Sequence, residues 1–358
     1  VPSSDDYYDL NETKLEVKVR MNTTGTGGLD DDETAASDGN DPKYVCVNNF
    51  GHILFNQMNV SFNGVLMTEQ SNAYHHKAYV ETMLHYNREE GKTILAAQGW
   101  VNELNVGASL TPTYAGTNDK PNPNDWDGKT GLKSLTRRLL GKAYHTFMIK
   151  PHVSAFRTGK CLVPGVQIDL ELYLNDSNMF LFGTPDTTTS VGKKILTLED
   201  NDIFVTLWMK KVSLNASVYT RLQKERHCFR EQGSWEGYYR INEFHQLPWK
   251  SATLPLCQSK FAYDRFLTAS GAYKHHKIPM MRTGDWGQGK NCTLFMFNNV
   301  PGDADDPEYR NPRLTGNVRY EIDFRAAVGH NITVVIWSEY ENIYEIDQWG
   351  GILYSVNS

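Results

Sequence analysis

The sequence predicts an all-β chain built as two β-sandwiches in series, and three observations lead there. Val, Ile, Tyr, Phe and Thr recur throughout together with Asn and Gly, while helix-favouring runs are scarce. Apolar residues alternate with polar ones at period two in several segments, "KLEVKVRM" and "GVQIDLELYLN" among them. These strand-like segments come in two successive sets, with a boundary near Lys194–Asp202. With 358 residues and 40% apolar content, the chain can bury one large core or two of ordinary size.

In order along the chain, "KLEVKVRM" is the first strand. Leu15, Val17, Val19 and Met21 share one face, with Glu16, Lys18 and Arg20 on the other. The Gly-, Thr- and Asp-rich stretch Asn22–Pro42 has little to bury and is expected to be a mobile loop. In "FNQMNVSFNGVLM", Met58, Val60 and Phe62 alternate up to Asn63-Gly64, the strongest short signal for a two-residue type I′ hairpin. The period then changes. Tyr79, Met83 and Tyr86, with Val80 and Leu84, repeat at helical spacing and predict a helix over Ala73–Tyr86. Asn102–Leu132 is rich in Pro, Gly, Asn and Asp and reads as a long excursion.

Strands resume with Tyr144–Phe156 and "GVQIDLELYLN", where Val166, Ile168, Leu170, Leu172 and Leu174 would form one apolar face. "NMFLFG" closes the first set. The second set opens with "DIFVTLWMKKVSL" and runs through "GYYRINEF", a turn-rich middle and "CTLFMFNNV". It ends in the hairpin Leu314–Asp347. One face of that hairpin (Val318, Tyr320, Ile322, Phe324) can fill a sandwich core, and the other (Arg319, Glu321, Asp323) is left for water or a neighbour.

Composition excludes several function classes. A net charge of −6 and a pI near 6.0 do not suit strong nucleic-acid binding, which needs clustered Lys and Arg. Arg137/Arg138, Lys193/Lys194 and Lys210/Lys211 are scattered pairs that read as solvated surface. No apolar run approaches the roughly 18 residues of a membrane span. The five cysteines (Cys46, Cys161, Cys228, Cys257 and Cys292) are odd in number and form no CxxC, which points to a reducing compartment. The N-x-S/T sequons at Asn11, Asn22, Asn59, Asn175, Asn215, Asn291 and Asn331 are then expected to be chance occurrences. Because the chain begins at Val1 rather than Met, a leader or arm is expected to be missing from it.

No motif carries catalysis, a cofactor or a metal. "GDWGQGKN" (Gly284–Asn291) matches G-x-x-x-x-G-K but places Asn291 where a phosphate loop needs Ser or Thr, and strand-like rather than helical sequence follows it. It reads as a loop. His75-His76 and His275-His276 are adjacent, which places them on opposite faces of a strand or about 100° apart on a helix, so neither pair is expected to chelate readily, and neither H-x-H nor H-E-x-x-H occurs. Asp30–Glu33 lacks the alternating spacing of a calcium loop and reads as solvated. Most aromatics alternate within strands, the pattern of core packing rather than of a glycan-binding face. The expected catalytic, cofactor-binding and metal-ligating residues are therefore none.

The residues do resemble a known family. "NNFGHILFNQMNVSFNGVLMTEQSNAYHHKAYVETMLHY" (Asn48–Tyr86) resembles the N-terminal block of the major capsid proteins of Polinton/Maverick elements and adintoviruses. "LVPGVQIDLELYLND", followed by "MFLF", is similar to the strand pair near the end of that family's first jelly roll. "VTLWMKKVSLNASV" resembles the opening of its second, and "GNVRYEIDF" with "NITVVIWSEYENIYEID" its C-terminal signature. Four blocks in the same order cover about half the chain. The passage Leu254–Asn291 is shorter than the family's, and the tail after Asp347 has no counterpart in the resemblance.

The resemblance implies a hexon-like double jelly-roll, all-β, with long loops and a short helix: residues 1–200 as the first jelly roll, 201–358 as the second with a C-terminal tail. It implies a structural capsid protein and no enzyme. The chain would form homotrimeric, pseudo-hexagonal capsomers of an icosahedral virus or virus-like transposon. Its partners would be itself, neighbouring capsomers and a penton or minor capsid protein, in a virion assembled in the nucleus or cytoplasm. The alternative readings are a domesticated capsid-derived host protein with a binding role, and a jelly-roll lectin or enzyme.

Overall fold

The computed structural model describes residues 6–20, 22–24, 44–68, 71–102, 135, 139, 144–157, 161–183, 195–197, 203–212, 227–234, 259–275, 279–281, 294–296, 335–336, 339–346 and 351–355. The strands are β1 (Tyr7–Val19), β2 (Asn22–Thr24), β3 (Tyr44–Cys46), β4 (Phe55–Phe62), β5 (Val65–Leu66), β6 (His145–Ile149), β7 (Cys161–Leu162), β8 (Ile168–Leu174), β9 (Leu181–Gly183), β10 (Ile195–Thr197), β11 (Ile203–Val212), β12 (His227–Ser234), β13 (Glu339–Ile346) and β14 (Ile352–Ser355). The helices are α1 (Phe50–Ile53), α2 (Tyr74–His85), α3 (Arg88–Lys92), α4 (Ser177–Phe180), α5 (Ser259–Ala269) and α6 (Ala272–His275). The described chain is β-rich with few and mostly short helices. Among the described residues, no helix is long and apolar enough to cross a membrane.

The largest sheet has the order β11-β1-β6, with β7 also paired to β1, all antiparallel. Leu15, Val17 and Val19 are fully buried on its inner face, as their alternation requires. The strand also extends back to Tyr7. Thr13 is buried in phase with Leu15, but a register shift between Asp9 and Lys14 lets Leu10 point inward out of simple alternation, so period-two reading stops at the bulge. β11, placed by the sequence at the start of the second set, is a partner of the first strand of the chain. β2 pairs with β10, so the stretch expected to be a loop begins as a strand.

In a second sheet, β4 pairs with β5 and β8. Met58, Val60 and Phe62 are buried as expected, and the β4–β5 turn places Asn63 and Gly64 at φ 47° and 79°, the left-handed pair of a type I′ turn. The apolar face expected on Val166–Leu174 fades along its length. Val166 and Ile168 are buried, Leu170 and Leu172 are partly covered, and Leu174 is exposed, so the cover falls away toward the end of β8, whose one strand partner among the described residues is β4. β3 pairs with β9, and β12-β13-β14 form a C-terminal sheet.

The main core gathers Leu10, Phe50, Phe55, Phe62, Phe147, Phe156 and Phe180 from the N-terminal elements. Ile346 of β13 is buried in the same cluster, with Ile203, Leu207 and Ile352 packed against it. A smaller core joins Met83, Leu95 and Trp100 to Phe266, Met280 and Met281. Helix α2 matches its expected span and lies between the two. Tyr79, Met83 and Tyr86 serve the smaller core, whereas Tyr74 and Ala78 serve the larger. The smaller core also contains α5, which falls where the sequence suggested only turns.

Candidate functional site: a buried histidine–carboxylate cluster

The Asn48-Asn49-Phe50 stretch shapes the entry to this region. Asn48 Oδ1 accepts from the backbone N–H groups of Asn49 and Val101, both at 2.8 Å, and its Nδ2 donates to Val101 O at 2.7 Å. A side chain thus takes the place of a paired strand. Asn49 adopts φ 61°, ψ 42°, a left-handed conformation that Asn tolerates, and starts α1. Gly51 follows because there is no room for more. A Cβ there would lie 2.6 Å from Ile149 Cγ2 and 2.7 Å from Gln98 O.

This tight seating points His52 into the interior, where it is fully buried. Its Nε2–H donates to Gln98 Oε1 at 2.8 Å, and its Nδ1 accepts from the Tyr74 hydroxyl at 2.9 Å. The Tyr74 oxygen in turn accepts from the backbone N–H of His152 at 3.2 Å. The rings of His52 and His152 meet edge to face, centroids 4.8 Å apart. His152 Nδ1–H donates to Glu81 Oε2 at 2.6 Å, and Arg157 Nη2 lies 2.5 Å from the same carboxylate oxygen and from Nδ1. Lys77 Nζ stands 3.9 Å from the other carboxylate oxygen. Tyr74 and Glu81 of α2 are thereby tied to α1 and to the segment after β6, and α1 in turn to the Leu95–Gln98 turn.

Electrostatics follows from the burial. Burial drives His52 down to about 3 and His152 to about 4, so both rings are neutral near pH 7. Glu81 behaves oppositely. Burial pushes it up, but Arg157, His152 and Lys77 together hold it down to about 2, so it stays a carboxylate. One buried carboxylate thus faces one guanidinium and one ammonium at the rim, with two neutral imidazoles behind.

A histidine–carboxylate pair does acid–base chemistry when the far ring nitrogen faces a substrate. Here Nε2 of His152 faces Thr82 Oγ1 at 3.5 Å, inside the protein, and that hydroxyl already donates to Ala78 O at 2.7 Å. The geometry suits a cross-tie. Sequence patterns did not single out these residues, because a Glu or His turned inward leaves no mark in hydropathy. The one available signal is Glu81, which lies on the helix face opposite Tyr79 and Met83.

The motifs singled out in the sequence fare differently. His75 and His76 stack with ring centroids 4.0 Å apart, and neither ring nitrogen of the buried His75 has a hydrogen-bond partner. Among the described residues, no group of three or more His, Cys, Asp or Glu side chains is placed to hold a metal ion. Gly284–Asn291, Asp30–Glu33, His276, "GYYRINEF" and the strand expected over Val318–Phe324 lie outside the described residues. So do Met21 and most of the Asn22–Pro42 and Asn102–Leu132 stretches.

The outward face of the β11-β1-β6 sheet carries exposed aromatic side chains. Phe204 and Trp208 are each about half exposed, and Tyr144 packs on Phe204 with centroids 5.6 Å apart. Arg20 lies over the Tyr144 ring at 5.0 Å, and Trp208 Nε1–H donates to Glu16 Oε2 at 2.9 Å. No family model, no curated protein and no solved structure matches the chain.

Proposed function

We propose that this chain is a structural major capsid protein of the Polinton/Maverick and adintovirus type. It would be a double jelly-roll whose trimers tile an icosahedral shell, assembled in the nucleus or cytoplasm of the host cell. The observation that carries the reading is the order and length of the four resembling blocks. Within the first of them, Asn48–Tyr86, α2 packs against both α1 and β4, and β4 pairs with β5. A β-rich chain whose central polar cluster is closed and whose sheet surface carries exposed aromatic side chains suits a protein surrounded by copies of itself. In this reading the chain has no catalytic role, and its partners are itself, neighbouring capsomers and a penton or minor capsid protein.

Three chains in a closed ring make heterologous contacts, and a permanent ring of this kind buries more than roughly 2,000 Å². Light scattering on the eluting protein at micromolar concentration is expected to give three times the chain mass, and negative-stain microscopy three-fold, pseudo-hexagonal particles. A monomer in both measurements overturns the proposal.

A further inference from the structure

We propose that the His52–His152 pair is an acid-triggered latch that holds α1, α2 and residues 150–157 together at neutral pH and releases them as the pH falls. The inference goes beyond the capsid reading and does not depend on it.

Geometry carries it. The two rings are in edge-to-face contact, so a proton on either puts a cation against the other. Every charged or titratable group around them is already committed. From α2, Glu81 is shared between His152 and Arg157, with Lys77 beside its second oxygen, and the Tyr74 hydroxyl is spent on His52. From the Leu95–Gln98 turn, Gln98 offers a neutral amide oxygen. From the segment after β6, Arg157 stands against His152 Nδ1 itself. A positive charge on His152 would gain attraction from Glu81 but lie against a guanidinium that already shares that carboxylate, and one on His52 would find no free anion among the described residues. Four separate segments converge here, so loss of the contact frees them jointly.

The sign of the pH effect follows from proton uptake. In the unfolded chain both imidazoles take up protons near the ordinary value of about 6.5, whereas the folded rings stay neutral until about 4 (His152) and 3 (His52). Below about pH 6.5 the open form binds more protons than the closed form, and the equilibrium shifts toward opening by roughly tenfold per pH unit for each histidine. His75 and His76, themselves held low by burial, add to the total slope, so the test is made on differences.

Urea unfolding of the full chain between pH 7.5 and 4.5 is compared for wild type, His52→Gln and His152→Gln. Each substitution is expected to lower the dependence of the log unfolding constant on pH by close to one between pH 6 and 5, a roughly tenfold smaller loss per unit. Should a variant fail to fold at pH 7.5, hydrogen exchange of the wild type decides instead. After correction for intrinsic rates, residues 50–53, 74–85 and 150–157 are expected to lose at least roughly tenfold in protection from pH 6.5 to 5, and to stay less protected than residues 14–19 of β1 throughout. Unchanged slopes in folded variants, or full protection of those segments at pH 5, overturn the latch.

Discussion

Replacing Glu81 by Gln tests how much the buried carboxylate contributes to the fold. Its side chain is 3% exposed, and it is held at about 2 where an unfolded glutamate titrates near 4.5. A depression of that size corresponds to about 3 kcal/mol in favour of the charged, folded form at neutral pH. Two corrections reduce it. Arg157 is one-third exposed and part of its attraction is screened. The amide oxygen of Gln can still accept from His152 Nδ1–H, which restores about 1 kcal/mol. The expected loss at pH 7.5 is therefore about 2 kcal/mol. Because the folded pKa is depressed, this stability is present above about 4.5 and lost as pH falls toward 2. The gap between wild type and variant should accordingly shrink by about 2 kcal/mol from pH 5.5 to pH 3, and so nearly close. Urea unfolding followed by tryptophan fluorescence measures both quantities, with buried Trp100 as one reporter. A variant as stable as wild type at pH 7.5, or a gap that does not change with pH, refutes the assignment of a charged, stabilising Glu81.

Two further substitutions probe the same region. Gly51→Ala forces a methyl against Ile149 Cγ2 and a backbone carbonyl, and should cost about 1–3 kcal/mol, seen as a lowered melting temperature. An unchanged melt would mean that α1 does not press on β6. Asn48→Ala removes all three bonds to Asn49 and Val101 and leaves both main-chain polar groups of fully buried Val101 without partners. Its expected cost is about 2–4 kcal/mol, measured by urea unfolding, and a loss below about 0.5 kcal/mol would show that water replaces the side chain.

Local pattern made part of the fold legible. The alternation at Leu15, Val17 and Val19, the Asn63-Gly64 turn and the helical spacing of Tyr79, Met83 and Tyr86 each express a rule satisfied within a dozen residues. Three things escaped for physical reasons. The bulge in β1 breaks the period that reveals a strand, so Tyr7 and Leu10 were not seen as part of it. Helix α5 did carry a signal, Tyr263, Phe266 and Leu267 at helical spacing, but it is obscured by the turn-formers around it, such as Gly271. The pairing of β11 with β1 is non-local, and no window of sequence contains it. The polar cluster was the least legible of all, because its members are polar residues in buried positions and only their partners explain them.

Pairing the first strand with β11 also sets a schedule for the chain as it is made. Glu16 and Trp208, bonded across that pair, are 192 positions apart. At about 5–20 residues per second, the ribosome needs on the order of 10–40 s to supply the second after the first. Throughout that interval β1 presents an open hydrogen-bonding edge and an apolar face to solvent and to chaperones. Ile346, which completes the main core, emerges later still. This core therefore cannot close while its N-terminal elements are being made, and the nascent N-terminal half is the stretch most in need of protection from other copies of itself.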